Sequence, residues 1–89
     1  MAELPCRFVM TPADGGHWAV IVSETPRDDA HAAFVAERSL TAVQRFLLSL
    51  WSDGVAAVWE PAPLPADALG DVRLGTDLPI GRVWCPESD

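Results

Sequence analysis

The chain has 89 residues, enough for one small domain with a single core. Thirteen Asp and Glu stand against six positive residues, all Arg, for a net charge of −7, and 49% of the residues are apolar. That apolar share excludes a disordered chain, and an acidic chain with no Arg cluster is repelled by nucleic-acid phosphates, so no nucleic-acid partner is expected.

The absence of Lys fits either adaptation to high salt or GC-rich coding that replaces Lys by Arg. The longest apolar runs, as in Trp18 to Val22 and Val55 to Trp59, are far shorter than the roughly 20 residues that cross a bilayer. Met1 to Arg7 lacks a signal-peptide core. No membrane partner is expected, and the expected compartment is the cytoplasm. Cys6 and Cys85 lie near opposite ends and form no C-x-x-C pair, so they read as apolar filler, with a disulfide only if they fall on neighbouring strands.

Arg7 to Met10 reads as a short strand, followed by a turn cluster at Pro12, Asp14, Gly15 and Gly16. His17 to Ser23 reads as a second strand, its near-continuous apolar run implying cover on both faces. The two form a hairpin with a loop of several residues. Thr25, Pro26, Arg27 and Asp28 offer a capping hydroxyl, a proline suited to the first helical position and a carboxylate favoured by the helix dipole. Gly54 supplies the residue expected just past the helix end.

A helix over residues 26–53 is about 42 Å long, against a diameter of roughly 31 Å for a compact domain of this size. It is expected either to break near Ser39 or to pack its overhang against another chain. Leu40, Val43, Leu47 and Leu50 form a seam, with Phe46, Leu48 and Trp51 outside it, and an apolar surface this wide predicts burial on more than one side. A homodimer through the helix 26–53 is the expected assembly. Val55 to Glu60 reads as a third strand, Ala66 to Leu69 as a short helix limited by Gly70, and Ile80 to Cys85 as the last strand before a polar tail. The class is α+β, in the order β-β-α-β-α-β, as one domain over residues 1–89.

Without Lys there is no Schiff-base amine, pyridoxal-phosphate site or P-loop. His17 and His31 are the only histidines and show no H-E-x-x-H spacing, so no metal site is expected. No G-x-S-x-G elbow occurs. Among the carboxylates, Glu60 alone stands out from a solvated acidic surface, and the four Trp read as core.

From Trp18 to its end the chain resembles the C-terminal half of the FMN-dependent nitroreductase family. The resemblance rests on the strand AVIVSE, the segment LTAVQRFLLSLWSDGVAAVW, the short helix after a proline-rich turn, and the closing LPIGRVWCPES. It implies a three-layer fold with a mostly antiparallel sheet of about four strands, dimers built through long helices, and FMN at the subunit interface carrying hydride from NAD(P)H. On that resemblance the flavin ring is expected near Trp59, Glu60 and Pro61. The sequence departs from the family in lacking its Arg-rich phosphate grip and the basic residues beyond the last strand, and Pro61 has no N–H to donate. Two functions follow as expectations: a nitroreductase-like flavoprotein domain, or a non-catalytic homodimerisation or protein-binding module.

Overall fold

The computed structural model describes residues 5–69, 72 and 74–87. Strand β1 (Cys6–Ala13) turns through Asp14 and Gly15 into β2 (Gly16–Ser23); helix α1 (Asp29–Ser52) follows, then β3 (Val58–Pro61) and β4 (Leu78–Pro86). The sheet is antiparallel with the order β1-β2-β4-β3, so β2 and β4 are central. The fold is α+β with a four-stranded antiparallel sheet and, among the described residues, one helix.

The first hairpin is tighter and longer than the expected loop of several residues. Pro12 is tolerated inside β1 because of register. Glu24 N donates to Pro5 O, and Pro5 and Glu24 continue the β1–β2 ladder outward. Antiparallel alternation then turns the backbone groups of Arg7, Val9 and Thr11 toward β2, and those of Phe8, Met10 and Pro12 toward the free edge. The N–H that Pro12 lacks is one that would face outward. In the central strand β4, Pro79 sits beside a register shift that leaves Ile80 between the Val22–Pro79 and Ile21–Gly81 pairs.

Ala19, Val20, Ile21 and Val22 are all fully buried, as expected for a strand covered on both faces. Ala19 and Ile21 face α1, where they pack with Val43, Leu47, Ala57 and Val83. Val20 and Val22 face the other way, under the β3–β4 connection. In that connection Ala68 is buried, Thr25 Oγ1 bonds Thr76 O, and Asp67, Ala68 and Val72 share a groove with Val9, Trp18 and Arg82. The short helix expected at Ala66 to Leu69 is instead a run of turns with Ala68 N bonded to Pro65 O. Four residues between Pro65 and Gly70 are too few to offset helix nucleation; Gly70, the expected limit, lies outside the described residues.

Helix α1 starts three residues later than Pro26. The Asp28 carboxylate accepts from His31 N at 2.8 Å, while Arg27 N donates to His31 Nδ1 at 3.0 Å, so Asp28 is the cap. The C-terminus closes as a Schellman motif: Gly54 (φ 81°) donates to Trp51 O, and Val55 donates to Leu50 O. Val55 and Leu50 both pack on the core.

The helix is unbroken at Ser39. At about 36 Å it lies within the molecule's 45 Å long dimension. Its buried stripe is Val35, Ser39, Val43 and Leu47, so the expected seam is corrected at Leu40, which is about half exposed. Ser39 takes the inward position and turns Leu40, the next residue round the helix, outward.

Ser39 is 1% exposed, and beyond a weak contact with the Cys6 thiol its Oγ has no hydrogen-bond partner among the described residues. An unsatisfied buried hydroxyl costs about 1–3 kcal/mol, and Ala is the better helix former. Ser39→Ala is therefore expected to raise stability by about 1 kcal/mol, read as a higher urea midpoint at unchanged slope.

Candidate functional site

The three residues expected near a flavin, Trp59, Glu60 and Pro61, are consecutive in β3, and strand alternation sends neighbouring side chains to opposite faces. Trp59 lies on the α1 side, packed against the core, and its ring fills the space where a Cβ on Gly81 would stand. Glu60 lies on the other face. Pro61 is exposed at the end of β3, an edge strand. The backbone brings these residues together; their side chains do not converge.

Glu60 belongs to a different cluster. Arg82, opposite it on β4, donates from Nε to Glu60 Oε2 at 3.0 Å and from Nη2 to Oε1 at 3.4 Å. The same guanidinium lies 3.6 Å over the Trp18 ring, and Trp18 meets Trp84 with ring centroids 5.0 Å apart. The resulting row crosses β3, β4 and β2, and its Trp18 and Arg82 side chains line a groove of about 650 Å³ that reaches β1 and is bordered by Asp67, Ala68 and Val72. Its cation is neutralised by Glu60, so the groove offers an anionic ligand little net attraction.

The second candidate is the outer face of α1. Leu40, Leu48 and Trp51 are 51%, 59% and 51% exposed. At spacings of eight and three residues they lie in one ridge with Gln44 between the leucines. Trp51 is held in place by its indole N–H, which donates to Ala57 O at 2.9 Å. An exposed Trp fixed in one orientation presents large contact area at low entropic cost.

Among the described residues no group of three or more His, Cys, Asp or Glu is placed to hold a metal, and no helix is long and apolar enough to cross a membrane. His17 is exposed, and His31 Nε2 lies 3.3 Å from Glu24 Oε1. The free cysteines pair with opposite ends of β2, Cys6 facing Ser23 and Cys85 facing His17, which is too far apart for a disulfide. Comparison of the chain with protein-family models, with curated proteins and with solved structures gave no match.

The row around Arg82 was half legible. Glu60 stood out in the sequence, but its partner is 22 positions on, and only the β3–β4 register brings the two together. Arg82→Met removes both the ion pair and the stacking on Trp18 and is expected to cost about 2 kcal/mol. Glu60→Gln removes the charge alone and is expected to cost about 1 kcal/mol, since this carboxylate is partly exposed. Urea unfolding of the two variants checks the order.

Burial pushes both thiols up, an effect that the Ser39 hydroxyl partly offsets at Cys6. A thiol raised on folding holds its proton more tightly in the folded state. The associated stability is present below the ordinary thiol range and lost as pH climbs through it. With no Lys and no Tyr in the chain, the thiols are the only side chains that titrate above neutrality and below the Arg range. Stability is expected to fall as pH climbs through and above the ordinary thiol range, and the Cys6→Ala, Cys85→Ala double variant to flatten the fall in urea midpoints.

Proposed function

We propose that this chain is a non-catalytic binding module that self-associates through the outer face of α1. The observation that carries this reading is the ridge of Leu40, Leu48 and Trp51, each at least half exposed, on a helix whose opposite face is committed to the core. Soluble chains rarely leave large apolar side chains in a continuous row unless something covers them.

A second copy is the occupant that fits best. Leu40 and Leu48 lie four residues on either side of Gln44, so the ridge is self-complementary about that residue. An antiparallel copy crossing at Gln44 sets Leu40 of each chain against Leu48 of the other, the same patch serving both as two-fold symmetry requires. Each copy carries a net charge of −7, so long-range repulsion opposes the contact, and salt that screens the repulsion strengthens it.

Sedimentation equilibrium tests the reading. The apparent mass is expected to rise toward twice the chain mass with concentration, and to rise further with added NaCl. Leu48→Glu is expected to weaken the association at least tenfold, a loss of about 1.4 kcal/mol or more, without changing the far-ultraviolet spectrum. A monomer at every concentration and salt level would remove the proposal. The rival reading, an FMN-dependent oxidoreductase domain with flavin near Trp59, Glu60 and Pro61, draws its support from the family resemblance. Saturable quenching of flavin emission at micromolar protein would transfer the conclusion to it.

A further inference from the structure

Beyond self-association, we propose that the free edge of β1 is a docking site for an extended peptide segment that carries one acidic side chain among apolar ones and pairs with the sheet as a fifth strand. β1 is an edge strand, and the backbone groups of Phe8, Met10 and Pro12 point away from β2. None of these groups has a hydrogen-bond partner among the described residues. The strand is also poorly blunted: its pairing with β2 runs from Cys6 to Ala13 without a bulge, and its one Pro stands near the end. The edge opens onto a pocket on each face of the sheet, so an added strand finds a place for each of its alternating side chains. On the helix side, Phe8 and Phe46, with ring centroids 4.9 Å apart, line a cleft of about 350 Å³ together with Arg38, Thr41 and Arg45 of α1. On the other side, Val9 and Thr11 line the groove of about 650 Å³ that Ala68 and Val72 border.

The two arginines specify the charge of the partner. In a chain with 13 acidic and six basic side chains, no described Asp or Glu lines the helix-side cleft, and neither Arg38 nor Arg45 is ion-paired among the described residues. Arg7 and Arg82, by contrast, are held by Asp77 and Glu60. The helix pattern sets this difference: the positions three and four residues from Arg38 and Arg45 hold Phe34, Val35, Thr41, Ala42, Leu48 and Ser49, none of them acidic. Arg38 lies over the Phe34 ring at 5.2 Å, a contact that leaves its N–H groups for an acceptor. A residue of the added strand opposite Phe8 shares the face of Phe8, which packs toward α1, so its side chain enters the cleft. A carboxylate there meets two guanidinium groups, while its neighbours in the strand turn toward Val9 and Thr11. A second copy of β1 fits less well, because Cys6 to Ala13 offers Arg7 and no acid. One carboxylate suits the site better than several, since the −7 charge repels an acidic partner at long range and the two arginines act at contact.

The probe is a capped seven-residue peptide, Ile-Thr-Val-Glu-Val-Thr-Ile, titrated into the native chain and followed by backbone amide shifts in NMR spectra. Saturable shifts are expected in residues 6–12 and at Arg38, Ala42, Arg45 and Phe46, whereas self-association is read separately at Leu48 and Trp51. The same peptide with Gln in place of Glu is expected to bind about fivefold more weakly. A version N-methylated at Glu and at both Thr, which lacks the N–H groups that face β1, is expected to give no saturable shift. In the Arg38→Gln, Arg45→Gln double variant the preference for Glu over Gln is expected to disappear while the Gln peptide still binds, a result that loss of folding cannot mimic. Met10→Pro, which removes an N–H that faces away from β2, is expected to abolish binding of both peptides with the far-ultraviolet spectrum unchanged. The proposal is overturned if the Glu peptide gives no saturable shift or shifts residues elsewhere, if the N-methylated peptide binds as well as its parent, or if the Glu preference survives in the double variant. Shifts in β1 that grow with protein concentration in the absence of peptide give the edge to a second copy and overturn it as well.

Discussion

The architecture depends on one strand. Four consecutive residues of β2, Ala19 to Val22, are completely buried, and because their side chains alternate between faces, no single layer can cover them. Helix α1 covers Ala19 and Ile21. For Val20 and Val22 the chain has no second helix among the described residues and uses the β3–β4 connection instead. That irregular segment is tied down at its edges by Ala62 N bonding Ile80 O, by Thr25 bonding Thr76, and by Arg7 reaching Asp77 at 3.4 Å. Both faces of the sheet are thus closed, one by regular and one by irregular structure. The two clefts arise along the seams where these covers meet the sheet.

The elements legible from sequence were those whose signal is local. The end of α1 was marked by Gly54, because a Schellman closure needs a left-handed residue there and glycine supplies it without cost. The buried run of β2 was marked by its composition. The misread elements were those decided by register. Pro12 reads as a strand breaker until its missing N–H is seen to face the open edge of β1, and Leu40 reads as part of the inward seam until Ser39 is found in that place. At the helix start, Thr25 and Pro26 carry valid signals, but Asp28 wins because its carboxylate reaches His31 N and the His31 ring holds Arg27 N in return.

The same distinction separates the legible and illegible parts of the candidate sites. Glu60 was singled out in isolation, and its environment was not available to a linear reading, because Arg82 and Trp18 reach it only through the β3–β4 and β2–β4 pairings. Arg82 satisfies Glu60 and stacks on Trp18 at once, which makes the row a rigid polar strut across three strands. A carboxylate and a guanidinium that neutralise each other serve the sheet better than they serve an incoming phosphate.

Charge and apolar surface are then distributed in a way that favours weak, conditional contacts. In the proposed self-association, the −7 charge opposes contact at low ionic strength, while burial of the Leu40, Leu48 and Trp51 ridge would gain from an apolar effect that salt does not weaken. The balance between the two shifts with ionic strength, so the association proposed above would be a function of the medium. In such a chain the absence of Lys has a physical consequence as well as a compositional one: the basic charge that remains lies on Arg, two of whose guanidinium groups, Arg38 and Arg82, lie over aromatic rings. Planar guanidinium groups can be held against rings at little solvation cost. The acidic excess is thereby left to dominate the long-range field, and the contacts that overcome it must be short-ranged and apolar.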